Sequence, residues 1–234
     1  MPSAYPAVLA VVLALGLALL AAASSDTTTP PPPAVMPATF FASFEETVYK
    51  DGKPTNDPVA DGFFGYTYTD NFVASITFRN NGIENPVCQL VQTPSTIAAN
   101  ASCTQYAYGD GSRTITYGES KDPDFCCVLQ PAGSFWGPVL PNWAAAGSYV
   151  GNVTVGDGVC ALYEVKAATP NAVDTISIEW GTGRLCGIGN AGGHGLLTVM
   201  VLNLDTYSPK PLPEAAFDVP AACGSNIAKC VFKS

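Results

Sequence analysis

The feature that most constrains this chain is alternation: apolar side chains recur at every second position far more often than at helical spacing. Over residues 72–79, Phe72, Ala74, Ile76 and Phe78 point one way, while Val73, Ser75, Thr77 and Arg79 point the other. A period of two places neighbouring side chains on opposite faces of a strand, so this segment reads as a half-buried antiparallel strand. Residues 63–69, 113–117 and 175–180 alternate in the same way, and the clusters of Gly, Asn, Asp and Pro between such runs serve as turns. The first hairpin is expected over residues 62–69 and 71–79, turning at Thr69-Asp70-Asn71, with a further turn at Asn80-Asn81-Gly82. Residues 196–204 are apolar on both faces, which suits a strand covered on both sides or one flooring a lined cavity. With 22 glycines and 20 prolines, the chain has few helix signals, confined to residues 142–146 and the tail after Pro220. The fold class is all-β or β-dominant α+β.

The N-terminus carries a different signal. Residues 7–23 form an uncharged apolar run ending in Ala21-Ala22-Ala23, which reads as a signal peptide spanning residues 1–23. A membrane anchor is the alternative, since the run approaches the roughly 20 residues of a spanning helix. Its small-residue end and the lack of a flanking Lys or Arg favour cleavage, leaving a chain that does not span a membrane. Residues 24–36 begin with SSDTTTPPPP, a Ser/Thr/Pro-rich linker with no means of building a core and a candidate for O-glycosylation. A single domain is expected over residues 37–234, a length sufficient for one ordinary hydrophobic core.

A formal net charge of -9 with singly scattered basic residues argues against a nucleic-acid partner. The eight cysteines, Cys88, Cys103, Cys126, Cys127, Cys160, Cys186, Cys223 and Cys230, contain no CxxC pair. Behind a secretory leader they read as structural disulfides in an oxidising, extracellular setting, not as zinc ligands or redox thiols. Adjacent Cys126 and Cys127 in extended backbone would face opposite sides of a sheet and so reach different partners. The rest of the connectivity is open.

Two sequons, Asn100-Ala101-Ser102 and Asn152-Val153-Thr154, mark Asn100 and Asn152 as candidate glycosylation sites. Alternation puts Asn152 and Thr154 on one face, with Gly151, Val153 and Val155 on the other. Gly187 to Gly192 matches the GxGxxG spacing of a dinucleotide loop. It leads into an apolar strand-like run with no surrounding βαβ unit, so it reads as a glycine-rich loop. His194 is the only histidine, and no Gly-x-Ser-x-Gly elbow is present, which argues against zinc or triad hydrolysis. Carboxylate pairs such as Glu45 with Glu46, or Asp122 with Asp124, read as solvated surface charge, though glycosidase chemistry uses such pairs. Asp57, Asp61 and Asp70 lie in oxygen-rich turns suited to a weak extracellular calcium ion; no other cofactor or metal is implied.

The order of several spaced residues is familiar: Pro37-x-x-Phe40, Gly65-x-x-Tyr68-x-Asp70, Arg79, the Cys126-Cys127 pair, Pro141-x-Trp143, Tyr149-x-Gly151, Cys160, and Val219-Pro220-x-x-Cys223. Over residues 37–223 the chain resembles the ependymin-related, LolA-like secreted proteins. The resemblance implies a curved antiparallel sheet, a half-open barrel with one or two short helices at its mouth, and a deep apolar pocket on the concave face. It also implies N-glycosylation, calcium dependence and a homodimer. Residues 181–195 and Cys230 have no place in the pattern.

The chain has 3 Trp, 10 Tyr and 11 Phe, and Phe64, Tyr66, Tyr68, Ile76, Phe78, Trp136, Trp143 and Trp180 are the candidate pocket walls, with ordinary core packing as the competing reading. The expected function is that of a non-catalytic secreted glycoprotein binding an apolar small molecule or lipid. The alternatives are an extracellular carbohydrate-binding or matrix module with exposed stacking aromatics, and a carboxylate-based secreted hydrolase.

Overall fold

The computed structural model describes residues 35–55, 59–134, 138–166, 173–191 and 196–233. The signal peptide, most of the linker, Asp57, Trp136 and His194 lie outside them. Among the described residues no helix is long and apolar enough to cross a membrane.

The antiparallel, β-dominant, disulfide-stabilised fold expected from the sequence is present. Twelve strands are β1 (Thr39–Lys50), β2 (Lys53–Pro54), β3 (Ala60–Tyr68), β4 (Val73–Asn80), β5 (Cys103–Tyr108), β6 (Arg113–Gly118), β7 (Pro123–Gln130), β8 (Ser148–Val155), β9 (Gly158–Lys166), β10 (Val173–Glu179), β11 (Leu185–Ala191) and β12 (Leu196–Leu202). One short helix, α1 (Pro86–Leu90), and a few single helical turns complete the described elements. The chain divides into two compact units, one holding residues 38–45, 59–140 and 206–234, the other residues 46–58 and 141–205. In the first the strands run β7-β6-β5-β4-β3; in the second they run β12-β11-β10-β9-β8, and β2 is hairpinned onto β1 through Asp51 and Gly52. Both turn residues have positive φ, 50° and 79°, the type I′ pattern that an Asp-Gly pair tolerates.

The unit containing β3 to β7 holds the first hairpin where the sequence places it. β3 and β4 pair antiparallel, and Thr69 N–H donates to the Phe72 carbonyl at 2.8 Å to close the turn. Asn81 then adopts a left-handed conformation at φ 50°, and the chain enters α1. That helix was not expected. Its signal is local: the Asn85 side chain accepts from the backbone N–H groups of Val87 and Cys88, and Pro86 supplies the fixed φ of a first helical residue. Together with residues 91–102, α1 covers one face of β5 to β7, forming a buried cluster of Cys88, Val91, Cys103, Ile115, Tyr117 and Cys127. The Cys88–Cys103 disulfide and a 2.8 Å hydrogen bond from the Tyr117 hydroxyl to the Cys88 carbonyl fix it there.

The adjacent cysteines behave as their spacing requires. Cys126 bonds Cys223 and Cys127 bonds Cys230, so the C-terminal tail is attached on both faces of β7. Between those anchors it runs along the strand's outer edge: Val128 N–H donates to Ala228, and Cys230 N–H donates back to Val128. Further on, Lys233 N–H reaches Leu90 and Gln92 N–H reaches Val231. An edge that would otherwise offer unpaired N–H and C=O groups is thus covered by the chain's own end.

Two expectations need correcting. Residues 187–191 are strand, not a glycine-rich loop. Gly187 and Gly189 sit where close neighbours exclude a side chain, since an added Cβ would lie 2.7 Å from the Met200 carbonyl and 2.3 Å from Thr175 Oγ1 respectively. Strand β4 is also not half-buried with its polar face in water: Ser75, Thr77 and Arg79 are the buried side, while Ile76 and Phe78 are half-buried. Both faces of this strand are covered, so alternation marks two faces without saying which is wetter.

The remaining disulfide, Cys160–Cys186, joins β9 to β11 in the other unit and sits in a small cluster with Val153. Replacing Cys127 and Cys230 together with Ala should lower unfolding free energy by about 2–5 kcal/mol and open the tail to proteolysis. Denaturant melts and limited digestion check this; an unchanged midpoint with an intact tail would mean that backbone pairing alone holds it.

Candidate functional site

The β3–β4 register sorts the expected pocket residues. Phe64 stands opposite Thr77, Tyr66 opposite Ser75 and Tyr68 opposite Val73, whereas Gly65 stands opposite Ile76 and Phe63 opposite Phe78. Directly opposed residues share a face. Phe64, Tyr66 and Tyr68 therefore lie on one side of the sheet, and Ile76 and Phe78 on the other. Trp143, half-buried in the turn over Trp143–Ala146, and Trp180, half-buried after β10, belong to the other unit. Trp136 is outside the described residues. The five expected residues that lie in β3 and β4 thus do not form one wall.

The Ile76 side is covered by the C-terminal segment. Phe41 stacks on Phe63 at 5.3 Å, and Leu212 packs over Gly65 so closely that a Cβ there would lie 2.7 Å from it. Phe217, fully buried, meets Phe72 edge-on, and the Tyr108 hydroxyl donates to its carbonyl. The Phe217 contacts read as core, whereas Phe63 remains exposed.

The Tyr66 side differs. Phe40, absent from the expected wall, is its centre: its ring lies 5.4 Å from Phe64, 5.5 Å from Tyr66 and 5.2 Å from Tyr207, the last stacked. The alternation of Phe40, Ala42 and Phe44 in β1 is the signal that could have found it, and all three are buried. Tyr66 is completely buried, and its hydroxyl has no hydrogen-bond partner among the described residues. Burial pushes its phenol well above the ordinary tyrosine range, and neighbouring Tyr68 adds to the shift. A buried polar group without a partner costs about 1–3 kcal/mol. Ser75 opposite it, Thr77 and Gln105 continue the same face with smaller polar groups. Farther along, Arg79 lies over the Phe44 ring, and Arg113 is held below its ordinary range by burial and by Arg79. What this arrangement offers chemically is a buried aromatic layer whose Tyr66 hydroxyl, without a hydrogen-bond partner among the described residues, could donate to, or accept from, a polar group on an otherwise apolar molecule.

Other expected residues are placed separately. Glu45 is exposed and Glu46 buried on alternate sides of β1, and Asp122 and Asp124 are exposed. Asp61 and Asp70 are exposed at opposite ends of β3, which its nine residues put roughly 25 Å apart at strand rise, too far for one calcium ion. No group of three His, Cys, Asp or Glu side chains suited to a metal occurs among the described residues. Asn100 is exposed in a turn before β5. Asn152 lies in β8, where its Oδ1 accepts from the Tyr149 hydroxyl and from Trp180 Nε1, each at 3.0 Å.

No protein-family model matches the chain, and no curated protein matches it. Among solved structures, it is similar to a DUF1329 family protein from Desulfovibrio piger, with a TM-score of 0.34 and 11% identity over 91% of this chain and 97% of that one. A Pseudomonas aeruginosa MucA/MucB complex gives 0.31 and 13%, over 84% of this chain and 58% of that one. MucB in complex with MucA(peri) gives 0.29 and 12%, over 84% and 57%. The functional reading below rests on the chain's own residues.

Two outcomes follow from the Tyr66 environment. Tyr66→Phe, which removes the orphan hydroxyl and keeps the ring, should leave the ligand-free fold as stable or raise its stability by about 1 kcal/mol, read from denaturant midpoints. A clear loss of stability would show that the hydroxyl has a structural partner. Burial also raises Tyr106 and Tyr108 to about 12, and Tyr117 higher still. The unfolded chain releases these protons near 10, before the folded chain does, so stability is full below that pH and falls as pH climbs from about 10 to 12. Phenolate absorbance recorded beside circular dichroism tests this: these tyrosines should ionise only as the fold is lost.

Proposed function

We propose that this protein is a secreted, non-catalytic binder of an apolar small molecule or lipid. The ligand lies against the Phe40–Phe64–Tyr66–Tyr207 aromatic layer, and its polar group pairs with the Tyr66 hydroxyl. The observation that carries this reading is that hydroxyl: fully buried, without a partner among the described residues, and set among rings. Ligand sites join apolar walls to a small number of placed polar groups, which is the combination found here. Four disulfides support an oxidising, extracellular setting. The spaced-residue resemblance to ependymin-related, LolA-like proteins points the same way, and homodimer formation belongs to that resemblance alone.

A carbohydrate-binding surface would need a row of exposed rings on one face. Phe63 and Tyr68 are exposed on opposite faces of β3, exposed Phe232 lies in the C-terminal tail and exposed Tyr149 belongs to the other unit, so the described rings give that alternative less support.

The test begins with native purification from a secreting host, organic extraction and mass spectrometry, followed by titration with an environment-sensitive fatty-acid probe. Stoichiometric apolar material and saturable probe binding are expected. Tyr66→Phe should weaken the probe about three- to tenfold, the worth of one ordinary hydrogen bond. Absence of both extracted ligand and probe binding overturns the reading, and binding that neither Tyr66→Phe nor Phe64→Ala alters would move the site elsewhere.

A further inference from the structure

The tail that covers the β7 edge carries apolar side chains outward. Cys230 is drawn inward by its bond to Cys127, while its neighbours Lys229 and Val231 are exposed. Two backbone bridges hold this stretch: Lys229 lies beside Val128 in parallel sense, and Phe232 beside Val91 in antiparallel sense. At the second bridge Lys233 N–H donates to the Leu90 carbonyl at 2.8 Å and Gln92 N–H to the Val231 carbonyl at 2.7 Å, so Leu90, at the end of α1, stands alongside the tail. Leu90, Val231 and Phe232 are 53%, 60% and 53% exposed, although Val91, next to Leu90 and paired with Phe232, is fully buried. Three large apolar side chains thus project from one covalently tethered place, the kind of exposed patch that marks an interaction surface.

The charge of this patch is opposite in sign to that of the whole chain. Residues 85–102 contain no charged side chain, and residues 219–234 contain Lys229 and Lys233 with no Asp or Glu, in a chain whose formal net charge is -9. Both lysines are exposed, and in sequence they bracket Val231 and Phe232. The acidic residues nearest along the neighbouring segments are Glu84, before the start of α1, and Asp124 in β7. Asp124 is four residues before Val128, roughly 13 Å away at strand rise, which exceeds the Debye length of physiological salt. The tail therefore presents its two positive charges locally.

We propose that the Leu90–Val231–Phe232 patch is a docking surface for an anionic phospholipid bilayer. The three apolar side chains enter the boundary between headgroups and acyl chains, and Lys229 and Lys233 meet the negatively charged headgroups. Such a boundary takes up apolar side chains, and each lysine near an anionic surface is worth roughly fivefold in partitioning. The Cys127–Cys230 bond and the two bridges hold the patch in place before contact, so little chain freedom is lost on docking. A second copy of the chain fits this surface less well, because a two-fold contact would bring the same two lysines against each other. The docking does not depend on the ligand proposed for the Phe40–Tyr66 layer.

The test is flotation of the protein, purified from secreting cells, with phosphatidylcholine vesicles that contain or lack phosphatidylserine. Binding to the phosphatidylserine vesicles is expected, weakening as salt is raised. Lys229→Gln and Lys233→Gln should each lower partitioning about fivefold, and Leu90→Ser and Phe232→Ser by a similar factor or more. The emission of Phe232→Trp should move to the blue on these vesicles and be quenched by nitroxide-labelled lipid, beyond the response of the parent protein. Because the substituted side chains are exposed, the variants are expected to fold, with an unchanged denaturant midpoint as the check. No binding to anionic vesicles at low salt, equal binding to neutral ones, or binding that these variants leave intact overturns the inference. So does a dimer in vesicle-free solution that Phe232→Ser dissociates, since a second copy would then be the occupant.

Discussion

Two consecutive cysteines set much of the architecture around β7. In extended backbone Cys126 and Cys127 cannot face the same way, so each must be met by sulfur arriving on its own side of the sheet. One C-terminal tail supplies both, with Cys223 on one face and Cys230 on the other. Six residues separate those two cysteines, and the segment between them has little choice but to pass along the strand edge, where it pairs with Val128. Loops of 97 and 103 residues are closed by these bonds, which removes much of the unfolded chain's freedom. The same tail, upstream, carries Leu212 and Phe217 onto the Phe63–Ile76 face, so edge protection and core closure come from one covalently tethered segment.

How far the sequence revealed this depends on the range of each interaction. The β3–β4 hairpin was legible because a short turn and flanking alternation are local properties. The opposite directions of Cys126 and Cys127 were legible for the same reason. Which face of β4 is buried was not, because it depends on segments far along the chain that cover both sides; Ser75, Thr77 and Arg79 look like a solvent face only when the strand is considered alone. Strand β11 was hidden by composition. Glycine ordinarily signals a loop, but Gly187 and Gly189 are needed where Met200 and Thr175 come too close for a side chain. Helix α1 is five residues long and offers no amphipathic period, only the Asn85-Pro86 start.

The candidate site was legible by residue type and not by arrangement. Phe64 and Tyr66 were recognised as aromatic residues alternating on a strand, yet Ile76 and Phe78 were assigned to the same wall although antiparallel register sends them to the other side. Phe40 and Tyr207, distant in sequence, complete the layer through ring contacts that no linear pattern encodes. The bulge at Val150 is comparable. Simple alternation correctly paired Asn152 with Thr154, but only the register shift brings Tyr149 to the same face.

The two ends of the strand order meet the same physical problem with different chemistry. Strand β7 borrows backbone hydrogen bonds from the tail, a solution available because disulfides hold that tail nearby. Among the described residues no such segment pairs with strand β8, and a bulge, the exposed Tyr149 ring and a sequon occupy that end instead. A bulge alone weakens edge pairing by breaking the regular spacing of N–H and C=O groups. It also re-aims a side chain, and here the re-aimed residue is the tyrosine that fixes an asparagine amide. One extra residue in β8 therefore both spoils the strand as a template and brings the Tyr149 hydroxyl onto the Asn152 amide oxygen.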